Sequence, residues 1–418
     1  MAGDILFLAH RIPFPPDRGD KIRSWHLLRH LAGLARVHLA CFADDEEDAA
    51  HLVAIRERLG PRLGQAHVEV RTRSRLASGM HALAGGVPVS LAAFESATMA
   101  AAVGRILSDE TIDAVFVFSG QMAQYVPSDG ARRFVMDFGD VDSEKFAAYA
   151  SGGGLLAPLH RREARLLSAV EQEIARHADL CLFVSDAEAA LFASRAAEGT
   201  PIEALQNGVD LEYFDPAAGF KRLDNAPGSG PLILFTGQMD YAPNVEAVTW
   251  FAREVMPLLP GACFVIAGRK PRAEVSRLAG ASNVMVTGAV PDMRAWLAAA
   301  DVVVAPLRIA RGIQNKVLEA MAMARPVVAS PCAFEGIDAD PGVNLVVAES
   351  AADQASAIRR LIADPRAARK MGLAARSRVE ASYGWEARLA PLAGFVGLGD
   401  PRPAAHKAAS CLPTDKAA

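Results

Sequence analysis

Cysteine is scarce and unpaired in this chain: Cys41, Cys181, Cys263, Cys332 and Cys411 stand singly, with no C-x-x-C spacing anywhere. That argues against a disulfide framework or a zinc site and fits a reducing compartment. There is no surplus of basic charge, and a net charge of -4 gives no reason to expect a nucleic-acid partner. Long hydrophobic runs are missing too. The nearest approach, LASGMHALAGGVPVSLAAF from Leu76 to Phe94, is broken by His81, Gly85, Gly86 and Pro88 and does not read as a bilayer span. No G-x-G-x-x-G and no P-loop occur, so dinucleotide-binding and NTPase readings lose their main support. The first residues carry no basic leader, and Asp4 stands just before an apolar run, which predicts a buried first strand and a cytoplasmic protein.

What is present is the composition of a folded soluble enzyme, 51% hydrophobic and 22% charged, in 418 residues, a length that predicts two domains. Short apolar runs alternate with helical stretches: Ile5 to Ala9, Val37 to Phe42, Val68 to Val70, Ala114 to Phe118, Phe134 to Phe138 and Leu180 to Val184. Runs apolar on both faces are those of parallel strands covered by helices. The pattern stops at DPAAGFKRLDNAPGSG and restarts with Leu232 to Phe235, Cys263 to Ala267, Val284 to Val286, Val302 to Ala305, Val327 to Ala329 and Leu345 to Val347. The expected architecture is α/β, with two Rossmann-like doubly wound domains facing a cleft. Residues 1–215 form the first, 216–230 a linker, 231–380 the second, and 397–418 a disordered tail rich in Ala and Pro.

Candidate site residues lie where strands give way to helices. In RIARGIQNKVLEAMAMARPVV a loop turning on Gly312 leads into a helix from about Gln314 to Ala324, stopped by Pro326. Lys316 and Glu319, three apart, share its polar side, and a cation in a first turn beside free N–H groups makes an anion site; a solvated surface pair is the alternative. Gly19 and Gly237 each precede a helix, where single glycines in tight turns are an equal explanation. SDAE at Ser185 to Glu188 reads as a capping box, with Glu188 reaching back to the Ser185 N–H. Asn207 and Gly208 mark a turn. In DFGDVDSEK, Asp140 and Asp142 resemble a metal-holding D-x-D, or Asp142 is a helix N-cap. Arg56, Arg58, Arg62, Arg71, Arg73 and Arg75 precede the 76–94 stretch, which permits peripheral contact with an anionic membrane face; a solvated basic face beside a core helix is the alternative.

FTGQMDYAPN, IAGRKP, VTGAVPDM, PLRIARGIQNKVLEAMA and RPVVAS, in that order, resemble the donor domain of GT-B sugar transferases of glycosyltransferase family 4. With HRIPFPPDRGDKIRSWHLLRHLA and DFGDVDSEK, residues 3 to 396 are similar to the sugar transferases associated with the PEP-CTERM and exosortase system. The resemblance implies a UDP- or GDP-sugar donor held by the second domain, a saccharide or lipid-linked acceptor held by the first, retention at the anomeric carbon and a role in exopolysaccharide biosynthesis. It implies no cofactor and no metal. Glu319 falls on the family's ribose-binding glutamate, and residues 381–396 on a helix crossing back to the first domain. Three departures stand out: Arg311 replaces a glutamate that commonly touches the donor sugar, the loop after Gly237 lacks the usual Arg and Lys, and no histidine follows Phe118. The diphosphate would then be met by Lys316, Arg269, Lys270 and Arg311. Sugar hydroxyls would be met by the backbone of Gly312, Ile313, Gln314 and Asn315, and Asp140 or Asp142 would orient the acceptor. Rival readings are a non-catalytic GT-B scaffold subunit, a nucleotide-sugar epimerase and a membrane-docked binding module.

Overall fold

The computed structural model describes residues 3–71, 82, 85–127, 132–151, 156–220, 223, 230–280, 283–309 and 313–398. The chain divides into two compact units, residues 1–206 with 389–418, and residues 207–388. Residues 207–215 therefore group with the second unit, and 389–396 with the first.

The first unit is built on a seven-stranded parallel sheet: β1 (Asp4–Ala9), β2 (Val37–Ala43), β3 (Leu63–Val70), β4 (Ile112–Phe118), β5 (Arg133–Gly139), β6 (Leu180–Phe183) and β7 (Ile202–Ala204), in the order β3-β2-β1-β4-β5-β6-β7. The second unit holds six: β8 (Leu232–Thr236), β9 (Cys263–Ala267), β10 (Val284–Gly288), β11 (Val302–Ala305), β12 (Val327–Ala329) and β13 (Val346–Val347), in the order β10-β9-β8-β11-β12-β13. The central strands are inaccessible along their length, as in Ile5 to Ala9 and Leu232 to Phe235, because helices cover both faces. In each sheet the strand order reverses once, between β1 and β4 in the first and between β8 and β11 in the second. Loops diverge at such a reversal and leave a crevice beyond the carboxyl ends of the strands.

Several local expectations are corrected. The helix expected over 314–324 spans Asn315–Ala322; Ala324 adopts a left-handed φ of 52°, and the Arg325 N–H returns to the Ala320 carbonyl at 3.0 Å, so the chain turns before Pro326 is reached. The last segment is not one helix over 381–396. It is split into Trp385–Leu389 and Leu392–Phe395, with Pro391, which lacks an N–H, at the break. Ser185 does cap its helix, accepting from the Glu188 N–H at 3.2 Å, but the Glu188 carboxylate accepts from the Val141 N–H at 2.8 Å instead of closing the box. Two of the six arginines read as a basic face are engaged within the first unit: Arg58 stacks on Phe14, and Arg71 stacks on Phe94 while pairing with Asp44 at 3.2 Å. Arg73 and Arg75 lie outside the described residues. No helix among the described residues is long and apolar enough to cross a membrane.

Candidate active site

The second unit's crevice starts from two glycines. Gly237 follows β8 and Gly268 follows β9; the Gly237 N–H donates to the Ala267 carbonyl at 3.1 Å, and a Cβ on Gly268 would stand 1.6 Å from the Gly237 carbonyl oxygen. Only glycine lets these two turns press together. A Cβ on Gly237 would come 2.8 Å from Asn244 Nδ2 and 3.4 Å from Lys316 Nζ, so the Lys316 ammonium lies directly against this backbone.

Lys316 reaches that position from the first turn of Asn315–Ala322, whose other side buries Val317, Leu318, Ala320, Met321 and Ala322 in the core. Its Nζ donates to Asn244 Oδ1 at 2.5 Å and sits 4.6 Å from the Phe235 ring centroid. Asn244 is buried at the start of the Ala242–Trp250 helix and is itself oriented by donating to the Gln238 carbonyl at 2.9 Å. A neutral partner and an aromatic face leave the cation poorly compensated. Burial pulls its pKa down to about 8, and Glu319 opposes that fall. Glu319, one turn on, is pushed up to about 7 by burial against the pull of Lys316. It also acts electrostatically on Tyr213, whose ring carries the Arg294 guanidinium 4.0 Å from its centroid; Arg294 in turn holds Asp292 with two bonds of 2.9 and 2.8 Å.

Of the expected donor residues, Gly237, Lys316 and Glu319 come together. Arg269 and Lys270 border them, since the Met239 N–H donates to the Arg269 carbonyl at 3.0 Å, but both side chains are exposed, and Lys270 Nζ is 4.0 Å from Asp240. Gln314 caps the helix with backbone only, Asn315 is exposed in its first turn, and Ile313 is half-buried against the core. Arg311 and Gly312 lie outside the described residues. Asn244 and the Tyr213, Asp292 and Arg294 group are additions. Asn244 leaves a signal in sequence only as a helix start, and its partner is 72 positions away.

Gly19, Asp140 and Asp142 belong to the first unit. Gly19 opens the helix Gly19–Leu34, and nothing lies within 4 Å of where its Cβ would be. Asp140 is exposed just beyond β5, whereas Asp142 begins the helix Asp142–Ser151, 3.8 Å from Lys145, with burial raising its pKa. Asp137, in the same acidic run, is structural: fully buried, it holds Arg23 at 2.9 Å and accepts from the Gly139 N–H at 3.0 Å. Among the described residues, the one close group of three metal-ligand types is Asp4, His38 and Glu110. Arg36 Nη1 already fills the cation's place there, 3.3 Å from Asp4 and 3.2 Å from Glu110.

Residues 230–364 match the family described as Glycosyl transferases group 1. The chain is 28% identical over 273 residues to the GDP-mannose-dependent alpha-(1-6)-phosphatidylinositol monomannoside mannosyltransferase of Mycobacterium tuberculosis, covering 60% of this chain and 71% of that one. A monoacylated-substrate counterpart from Corynebacterium glutamicum is 27% identical over 51% of this chain and 61% of its own. In fold the chain is similar to a sucrose-phosphate synthase from Thermosynechococcus elongatus (TM-score 0.61, 17% identity, 94% of this chain and 98% of that one). It is also similar to Anabaena HepE in complex with UDP (TM-score 0.60, 16% identity, 94% and 99%). Residues 230–364 thus resemble a glycosyl transferases group 1 domain, in a chain whose two parallel-sheet units have the GT-B fold.

Proposed function

We propose that this protein is a retaining, hexosyltransferase-type glycosyltransferase that moves a sugar from a UDP- or GDP-sugar to a hydroxyl of a saccharide or lipid-linked acceptor. The observation that carries the reading is Lys316: an under-compensated ammonium against the Gly237 backbone, at the strand reversal of the matched domain. Cleaving a sugar–diphosphate bond builds negative charge on the leaving phosphate while the sugar turns oxocarbenium-like, so fixed positive charge at that phosphate is the catalyst required. Lys316 supplies it directly, with Arg269 and Lys270 on the rim, and Arg311, which lies outside the described residues, is a further candidate cation. The acceptor oxygen bonds to the anomeric carbon as the carbon–phosphate oxygen bond breaks, on the same face. The acceptor proton passes to the departing phosphate, so no protein base is needed.

Glu319 binds the ribose hydroxyls, and the backbone of Gly312 to Asn315 the sugar. Asp140 or Asp142 orients the acceptor on the first unit. The relatives' names support both a nucleotide donor, GDP-mannose or UDP, and a lipid-anchored acceptor. The resemblance to PEP-CTERM-associated transferases supports exopolysaccharide biosynthesis as the setting, at the cytoplasmic side of the membrane. The test is incubation with UDP-, GDP- and ADP-sugars and glycoside acceptors, following released nucleotide and the anomeric configuration of the product. An inverted product overturns retention, and release of a free or epimerised sugar without transfer overturns the transferase reading.

A further inference from the structure

The second unit holds a cavity that the proposed transfer does not use. The connections from β8 to β9 and from β11 to β12 run in opposite directions along the sheet. Right-handed crossovers therefore put the helices Ala242–Trp250 and Asn315–Ala322 on opposite faces. On the face away from the helix that carries Lys316, Trp250 and the first turn of the helix Ala351–Ala363 bound a cavity of about 300 Å³, closed by the segments that follow β11, β12 and β13. That volume is at the lower end for small-ligand sites and far above what one water needs.

The cavity's Leu307, Ser330 and Gln354 are buried, whereas Arg308, Pro331 and Glu349 are exposed and form its rim. Ser330 Oγ is satisfied, donating to the Leu307 carbonyl at 2.5 Å and accepting from the Ala333 N–H at 3.2 Å. Gln354 is only half satisfied. Its Nε2 donates to the Ala348 carbonyl at 3.1 Å, which fixes the orientation of the amide. Oε1 is then an acceptor with no partner among the described residues, on a side chain 1% exposed. An unmet buried acceptor is unfavourable and calls for a donor from outside the fold. Glu349 and Oε1 oppose an anion, and Arg308, 3.8 Å from Glu246, opposes a cation. An uncharged molecule whose hydroxyls both donate and accept, with an apolar ring face for Trp250 and Pro331, meets all of these conditions.

We infer that this cavity is a second carbohydrate site, taking one neutral pyranose with a hydroxyl donating to Gln354 Oε1. None of its residues belongs to the set proposed for donor or acceptor, and its occupancy needs no catalysis to be seen. The test is titration of methyl α-glucoside, mannoside and galactoside into the full chain, followed by ligand-observed NMR, with glucuronate and glucosamine as charged controls. At least one glycoside binds, and the charged sugars bind more weakly. Gln354→Met, which keeps the volume and removes the acceptor, weakens that binding at least about tenfold, the loss of one buried hydrogen bond. Glu349→Ala, at an exposed position, weakens it too while thermal unfolding stays unchanged. The matching disaccharides tell a glycan end from a free sugar, and binding of either supports the inference. Iodoacetamide labelling read by peptide mass spectrometry locates the ligand without a substitution: the glycoside slows modification of Cys332, on the cavity wall, and leaves that of Cys263, at the start of β9, unchanged. No glycoside binding by the wild type, equal binding by Gln354→Met, equal binding of glucuronate, or Cys332 labelling indifferent to the sugar overturns the inference and leaves the transferase reading as it stands.

Discussion

Lys316 is a cation held where burial disfavours it, bonded to a neutral amide beside an aromatic face, with Glu319 offsetting part of that cost. Folding spends stability there, and an anionic ligand recovers it. Lys316→Ala should therefore abolish the thermal shift given by UDP or GDP and lower turnover at least ~100-fold, about 2.7 kcal/mol of transition-state stabilisation. Asp210→Ala should cost far less, since Asp210 accepts the Glu212 and Tyr213 N–H groups in a turn; equal losses in a steady-state assay would remove Lys316 from the site. A bound diphosphate favours protonated Lys316, so nucleotide affinity measured calorimetrically should fall as pH rises above about 8. The sign for Glu319 is opposite to the usual carboxylate. Its folded pKa of about 7 lies above the ordinary 4.5, so its contribution to stability is full below 4.5 and is lost as pH rises to about 7. Denaturant titrations should show that slope in the wild type and its absence in Glu319→Gln.

At the scale of elements, glycines at the strand ends separate fold from function. Gly268→Ala should destabilise the second unit by about 1–3 kcal/mol, measured by thermal unfolding, because its Cβ would collide with the Gly237 carbonyl. Gly19→Ala meets nothing and replaces glycine in a first helical turn, so it should stabilise the first unit by roughly 0.4–1 kcal/mol. Any loss of transfer in that variant would isolate close approach by substrate. Central strands such as β1, β8 and β11 are legible in the sequence because both their faces are apolar. Edge strand β3 is visible only from Val68, since Gly64, Gln65 and His67 interrupt its half-buried start. Lys316 and Glu319 are legible as a pair because helical spacing is local. Asn244 and the true partner of Glu188 are not, because each acquires its role from an element distant in sequence.

Across the whole molecule, Lys316 stands at the reversal of the second parallel sheet, and the chemistry proposed for it needs positive charge at a phosphate and no metal ion. Transfer should therefore persist in EDTA; complete loss on chelation, restored by manganese, would return Asp140 and Asp142 to the metal-binding role their spacing suggests. The ordered motifs from Phe235 to Ser330 make the second unit legible as a set, whereas the acceptor site proposed for the first depends on which loops its sheet brings together. The most direct test is isothermal titration of UDP and GDP into the wild-type chain and into Lys316→Ala at pH 7. Saturable binding of one nucleotide by the wild type, weakened at least tenfold in the variant, is the predicted result; equal affinity in the two proteins, or no binding by the wild type, would contradict it.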